Sequence, residues 1–258
     1  MTDLTNKAEI KEATKKRYSA LDIIRGISLV SMILYHGMWD VVYMFGVRAD
    51  WYESYGAYLW QQSICWTFIF LSGFCFSFGR RKLRRALLVL GGSQIISLVT
   101  AFIDGAEIRF GVLCLIGSCM LFCIPLERLF VKIPAAVGFF VSFALFMFTR
   151  NAGQGYLGFG NFPLFSLPRG LYANYVTAYL GFPNANFSSA DYFPLLPWFF
   201  LFVCGFFACR FFKKHNLLSR IPDVRFPPLE WLGRHSLIVY LLHQPLAYGI
   251  LYIVFAII

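Results

Sequence analysis

Long apolar segments alternate with shorter polar connections along the whole chain. The apolar segments cover residues 19–46, 57–79, 86–103, 110–126, 129–148, 191–212 and 231–256. A helix that crosses a bilayer needs roughly 17–25 apolar residues, whereas strands of membrane β-barrels alternate in polarity and are only about ten residues long. These segments do not alternate, so the sequence predicts an all-α, polytopic membrane helix bundle with about seven transmembrane helices.

Composition excludes soluble and disordered proteins. Of the 258 residues, 59% are hydrophobic and 14% are charged, whereas a soluble domain carries about 25% charged residues. A net charge of +10 can indicate nucleic-acid binding, but the basic residues here form short clusters between apolar segments, so no nucleic-acid partner is expected. All seven Cys residues lie in apolar segments, which predicts neither disulfides nor a metal site.

The basic residues also predict the orientation. Lys and Arg are enriched in the cytoplasmic connections of membrane proteins, and here they concentrate in the N-terminal leader and after the second, fourth and sixth apolar segments. The opposite side carries Arg48, Arg109, Arg150 and Arg169. We therefore expect a cytoplasmic N-terminus, a basic cytoplasmic leader at 1–17, and a multi-pass domain at 18–258 in the plasma membrane.

The external connection at 149–190 is unusually long and rich in Gly, Asn, Pro and aromatic residues. Loops beyond about 15 residues in compact proteins are usually functional or disordered. Its aromatic side chains suit a lid that stacks on sugar rings, and they equally suit residues that line the membrane interface. The sequence leaves both interpretations open.

The first apolar segment carries four ionisable residues, which are expensive inside a membrane and mark functional sites. These are Asp22, Arg25, His36 and Asp40. At about 100° per residue, Arg25 and His36 point the same way and lie roughly 16 Å apart along a helix axis. Asp40 follows His36 by four positions, so its carboxylate is expected to accept the imidazole N–H and to orient His36 as a general base. Arg25 is placed to bind anionic groups from the cytoplasmic side.

Structural alternatives exist for each of these residues. Asp22 and Arg25 can form an ion pair at a helix start, and His36 can be a hydrogen-bonding residue between helices. His243 precedes Gln244 and Pro245, so a functional kink in the last segment is one interpretation. Asp191 is either an N-cap of the sixth segment or a contact for a polar acceptor. For His215 and His235, solvated and capping roles are expected.

Several motifs together resemble one superfamily of transmembrane acyltransferases. The spacing of Arg25 and His36 is similar to the Arg/His motif of the acyltransferase-three family of sugar O-acyltransferases. Other segments resemble the bacterial branch of the heparan-α-glucosaminide N-acetyltransferase catalytic-domain family. They are Phe70-Leu-Ser-Gly-Phe74, Ile108-Arg-Phe-Gly-Val-Leu-Cys-Leu-Ile-Gly117, Asp191–Trp198 and Trp231-Leu-Gly-Arg-His-Ser-Leu-Ile-Val-Tyr-Leu-Leu-His243. The resemblance runs from about residue 18 to the end of the chain.

The resemblance implies an integral membrane acyltransferase that uses cytoplasmic acetyl-CoA or another acyl-CoA and no metal. The acyl group would pass to a hydroxyl or amine of an extracytoplasmic sugar or glycan. His36 and Asp40 would be catalytic, and Arg25 with Asp22 would hold CoA. The acceptor-binding candidates are Asp191, Trp198, His243 and Arg109.

This chain departs from the lysosomal enzyme of the family, which has Asn at the position of His36 and uses a later His. Residues 37–58 contain no His, so the role of His36 follows the sugar O-acyltransferase pattern. The alternative function is a small-molecule or proton-coupled transporter, in which the polar stripe of the first segment is an ion path. Expected partners are membrane lipid and a glycan acceptor, with a homo-oligomer as a further option.

Overall fold

The computed structural model describes residues 17–103 and 105–257, so most of the basic leader at 1–17 lies outside the described residues. Seven long helices correspond to the seven predicted segments. They are α1 (Ser19–Trp39), α2 (Tyr55–Phe76), α3 (Lys82–Thr100), α4 (Val112–Phe130), α5 (Ala135–Thr149), α7 (Leu195–Lys214) and α9 (Ser236–Ile257). Two shorter helices are α6 (Tyr175–Leu180) and α8 (Pro227–Arg234). Within the described ranges, six helical segments are long and apolar enough to cross a membrane. They correspond to every long helix except α2. The predicted all-α polytopic bundle is confirmed.

The chain forms two compact units. The terminal unit comprises the two chain ends, up to Ile64 and from Asn216 onwards, and the central unit comprises Cys65–His215. Helix α2 contributes its first half to the terminal unit and its second half to the central unit.

In the terminal unit, α1 packs against α8 and α9. Its backbone lies directly on that of α8 at two glycines. A methyl group added to Gly26 would overlap the carbonyl of Leu229, and one added to Gly233 would overlap the carbonyl of Asp22. Helices approach this closely only where side chains are absent from the contact. The two glycines therefore set the position of α8 on α1.

The last predicted segment, 231–256, is two helices rather than one. Helix α8 ends at Arg234, and its backbone passes through a non-helical residue at His235 before α9 begins. Pro227 opens α8, where the missing N–H of proline leaves no hydrogen bond unmade. The break falls at the polar run Gly233-Arg-His-Ser236, and α8 is amphipathic and too short to cross the membrane.

In the central unit, α7 is the most buried helix and packs against α4 and α5. Its aromatic side chains dominate the core, and Phe202, Phe206 and Phe207 are almost fully buried. At its end, the guanidinium of Arg210 donates to the carbonyls of Phe130, Val131 and Ile133 at distances of 2.6–2.8 Å. These bonds add donors to the carbonyls at and just after the C-terminal end of α4.

The long connection at 149–190 is folded. It contains a two-stranded antiparallel sheet formed by β1 (Tyr156–Phe159) and β2 (Phe162–Ser166), followed by α6. The strands are joined by Gly160 and Asn161, with Gly160 at a positive φ of 55°. Gly-Asn between two aromatic runs is a hairpin signal that the sequence contained. The side chains of β2 are exposed, so the choice between lid and interface stays a prediction.

Candidate functional site

Helix α1 presents three of the four expected ionisable residues on one unbroken helix. Asp22, Arg25 and His36 lie within Ser19–Trp39, and Asp40 begins a π-helical turn that extends to Met44. The continuous helix keeps Arg25 and His36 roughly 16 Å apart along the axis. Turns of π-helix are frequent at functional sites. Three residues of the predicted polar stripe therefore lie on one continuous α-helix of the terminal unit, and their roles stay predictions.

At the far end of the stripe, His36 lies against a second imidazole. The ring centroids of His36 and His243 are 5.1 Å apart with planes at 65°. The Nδ1 of His243 is 2.6 Å from the carbonyl oxygen of Tyr240. Because a carbonyl only accepts, Nδ1 carries the proton and Nε2 has the lone pair. This Nε2 is buried and has no hydrogen-bond partner among the described residues.

The expected hydrogen bond between His36 and Asp40 is wrong. Asp40, only 1% exposed, accepts a hydrogen bond from Gln244 instead, with 2.6 Å between Gln244 Nε2 and Asp40 Oδ1. The second carboxylate oxygen of Asp40 and the amide oxygen of Gln244 are buried without partners in the described ranges. Gln244, on helix α9, is thus the hydrogen-bond donor to Asp40 in place of His36. The spacing of residues along α1 contains no information about a donor on α9.

The unpartnered atoms of this cluster are all acceptors. They are Asp40 Oδ2, Gln244 Oε1 and His243 Nε2. Buried polar groups in native proteins are generally paired, and leaving one unpaired is costly. The cluster therefore favours a species that donates hydrogen bonds, such as a hydroxyl, an amine or water. We call Asp40, His36, His243 and Gln244 the imidazole cluster.

The Asp40–Gln244 pair gives a stability prediction. Gln244→Leu removes the donor and leaves both oxygens of a buried carboxyl group unpaired, so the free energy of unfolding should fall by about 1–3 kcal/mol. Adding Asp40→Leu removes the stranded carboxyl group as well, so the double variant should recover part of that loss. Unfolding by detergent titration in mixed micelles measures both. Equal stability of Gln244→Leu and wild type would contradict the pairing.

Aromatic residues next to the cluster hold the end of α1, and no sequence pattern singled them out. The hydroxyl of Tyr52 donates to the carbonyl of Tyr35 at 2.9 Å, and the indole of Trp60 donates to the hydroxyl of Ser31 at 2.7 Å. Burial raises the pKa of Tyr52 above its usual range, so this phenol stays neutral. These contacts hold the turn of α1 that precedes His36.

At the other end of the stripe, Arg25 is part of a charged cluster. Buried Asp22 accepts from the Nε of Arg17 at 2.6 Å and lies 3.4 Å from Arg25 Nη1. Arg25 also donates to the carbonyl of Gly233 at 3.4 Å. The ion pair expected as the structural alternative is present, and it is one contact within a larger network. A contribution of Arg25 to CoA binding stays a prediction.

The remaining acceptor candidates lie in the central unit. Arg109 donates to the carboxylate of Glu107 and to the hydroxyl of Tyr175, and the hydrogen bond with Glu107 raises its pKa further. Asp191 does not cap the sixth segment, because α7 begins at Leu195 behind Pro194. Its Oδ2 instead accepts from the backbone N–H of Val112 at 3.3 Å and so caps α4.

Trp198 also lies in the central unit, where its ring packs between Phe146 and Phe193 at centroid distances of 5.6 and 5.1 Å. Its burial favours a role in packing, and contact with an acceptor stays a prediction. Among residues 17–103 and 105–257, no three His, Cys, Asp or Glu side chains form a group that could hold a metal ion. The structure thus brings together His36, Asp40 and His243, and places the other acceptor candidates in a different unit.

One protein family matches this chain. The family model described as "Heparan-alpha-glucosaminide N-acetyltransferase, catalytic" matches residues 17–245, which includes α1, α8 and the imidazole cluster. No curated protein and no solved structure is significantly similar to the chain.

Proposed function

This chain belongs to the heparan-α-glucosaminide N-acetyltransferase catalytic-domain family, and on that premise we propose that it transfers an acyl group across the membrane. The family is one of membrane acetyltransferases, which draw on an acyl-CoA co-substrate. We propose further that the donor binds from the cytoplasm and that the acceptor is a hydroxyl or amine of a sugar or glycan outside it. The membrane would be the plasma membrane.

The imidazole cluster is the observation that carries the proposal. Acyl transfer to a hydroxyl or amine requires a base that removes a proton as the new bond forms. Two imidazoles in contact, 5.1 Å between centroids, supply that base in a part of the terminal unit that is largely closed to solvent. The three unpartnered acceptor atoms match an acceptor that enters with its hydrogen-bond donors.

His36 is the proposed general base. As the lone pair of the acceptor oxygen or nitrogen attacks the thioester carbon, the imidazole takes the proton from the attacking atom. The C–S bond then breaks, CoA leaves as a thiolate, and the imidazolium returns the proton to the sulfur. His243 contacts the ring of His36 and keeps its Nε2 free, which allows it to share that proton. An acylated His36 intermediate is the alternative sequence of steps.

The length of α1 fits the shape of the donor. Arg25 and His36 are roughly 16 Å apart along the helix, which is comparable to an extended pantetheine arm. A CoA molecule whose charged end lies near Arg25 would present its thioester near His36. The distance supports a donor that spans part of the bilayer while its acyl carbon reaches the imidazole cluster.

Sealed vesicles with the protein in a known orientation test this function. Acetyl-CoA labelled in the acetyl group is supplied on the face that exposes the residue 17 end of α1, and a glucosamine-containing oligosaccharide is supplied on the other. The expected result is label bound covalently to the oligosaccharide, with CoA thiol released on the donor face. Label that enters the vesicle as a free small molecule would support a transporter, and no CoA-dependent labelling of the oligosaccharide would reject the proposal for this acceptor class.

A further inference from the structure

We infer that the exposed guanidiniums of Arg17, Arg225 and Arg234 form a binding site for the phosphate groups of the acyl donor's nucleotide end. The inference rests on the proposed function, because that function defines the donor. It places the phosphates on the exposed arginines next to Arg25, the residue that the sequence pointed to, which lies 3.4 Å from the same Asp22. We call the three residues the arginine cluster.

Exposure distinguishes the four arginines at this end of the terminal unit. The side chains of Arg17, Arg225 and Arg234 are 58%, 66% and 40% exposed, whereas that of Arg25 is 17% exposed. A guanidinium has five N–H donors. Arg25 directs its contacts inward to Asp22 and the carbonyl of Gly233, so the other three present more donors to a ligand in solution.

Two buried carboxylates hold the arginine cluster in one place. Asp22 Oδ2 lies 2.6 Å from Arg17 Nε and 3.7 Å from Arg234 Nε. Glu230, which is also buried, lies 2.5 Å from Arg234 Nη2 and 3.9 Å from Arg225 Nη1. Arg234 thus connects the two carboxylates, and the three guanidiniums are neighbours. Contacts with these two buried carboxylates hold the guanidiniums in position before a ligand arrives.

The charge of the assembly favours an anion. Besides Asp22 and Glu230, a third carboxylate contacts the arginine cluster. It belongs to Asp223, which is exposed and lies 3.2 Å from Arg225. Among the described residues in these contacts, four guanidiniums, counting Arg25, face the three carboxylates Asp22, Asp223 and Glu230, which leaves an excess of one positive charge. Guanidinium groups bind phosphate through paired, charge-assisted hydrogen bonds. CoA carries a 3′-phosphate and a diphosphate at its adenosine end. Asp22, which contacts Arg17 and Arg234, lies roughly 21 Å from His36 along α1, a distance that an extended pantetheine arm together with the diphosphate can cover. The donor's phosphates therefore match the cluster in charge and in place.

Binding of adenosine 3′,5′-bisphosphate tests the inference without requiring catalysis. The full-length protein in nanodiscs of phosphatidylcholine is titrated by calorimetry, first as wild type and then as Arg225→Gln. Arg225 is chosen because it contacts exposed Asp223 and lies 3.9 Å from Glu230. Its loss therefore leaves the contacts of Arg234 with Asp22 and Glu230 in place. We expect the dissociation constant to rise about tenfold. Arg17→Gln is the second variant and should act in the same direction.

Lys214→Gln is the matched control, because it removes one exposed positive charge at the end of α7, a terminus predicted to face the same compartment. It should bind the bisphosphate as wild type does. Equal loss of affinity in Lys214→Gln and Arg225→Gln would overturn the site, because only net charge would then matter. Unchanged affinity in both arginine variants would also overturn it.

Lipid headgroups are the other source of phosphate at this surface. Repeating the titration in nanodiscs that contain phosphatidylserine separates the two. Retained binding of the bisphosphate supports the donor site, whereas its loss would assign the cluster to lipid and overturn the inference. Bisphosphate binding that persists while no acyl group reaches a glycan would instead leave the site standing and refute the transfer reaction.

Discussion

His36→Gln should lower the rate of acyl transfer by about 10²–10⁴-fold, the usual contribution of a general base. Gln keeps much of the side-chain volume but cannot accept a proton at neutral pH. The imidazole of His36 forms no hydrogen bond to another described residue and contacts the rings of Tyr35 and His243, so its removal leaves few structural contacts unmade. Transfer of labelled acetyl groups in sealed vesicles is the measurement.

His215→Gln is the control for the loss of an imidazole. His215 is exposed, follows α7 and contacts the ring of Phe211 at a centroid distance of 4.4 Å, so transfer should proceed at the wild-type rate. The thermal midpoint of His36→Gln should also match that of wild type. A His36→Gln protein that transfers acetyl groups at the wild-type rate would exclude His36 as the base and leave His243 as the remaining imidazole of the cluster.

Gly233→Ala should destabilise the terminal unit by about 1–3 kcal/mol, the usual effect of overpacking a close contact. The added methyl group would overlap the backbone carbonyl of Asp22, and backbone atoms cannot move aside as a flexible side chain can. Helix α8 must then shift away from α1, which also carries Arg234 away from Asp22. Gly26→Ala should act similarly, because its methyl group would overlap the carbonyl of Leu229.

Gly37→Ala is the control variant, because Gly37 lies in the same helix as Gly26. Gly37 lies in α1, and a methyl group there would meet no atom within 4 Å. Ala is the better helix former by about 1 kcal/mol, so this variant should be as stable as wild type or more stable. Detergent titration of all three variants gives the free energies of unfolding. If Gly233→Ala and Gly37→Ala were equally stable, the close packing of α8 on α1 would be incorrect.

Local properties of the chain predicted most of the architecture. Each apolar segment had enough length for a membrane helix, and length and hydropathy do not depend on distant residues. The positions of Arg25 and His36 on one face followed from helix periodicity for the same reason. The boundary at His235 was missed although the polar run Gly233-Arg-His-Ser236 marks it, and the hairpin at Tyr156–Ser166 was missed although Gly160-Asn161 indicated it.

Contacts between distant residues needed the tertiary structure. The sequence by itself determined the helical membrane class, the family and the candidate residues of α1, since each depends on composition or on spacing within one segment. Folding decided that Asp40 pairs with Gln244, 204 positions away, rather than with His36, and that Asp191 caps α4. It also decided that Arg225 and Arg234 join Arg17 around two buried carboxylates. A buried polar group takes whichever partner the packed helices bring within reach, and spacing along one helix carries no information about the next.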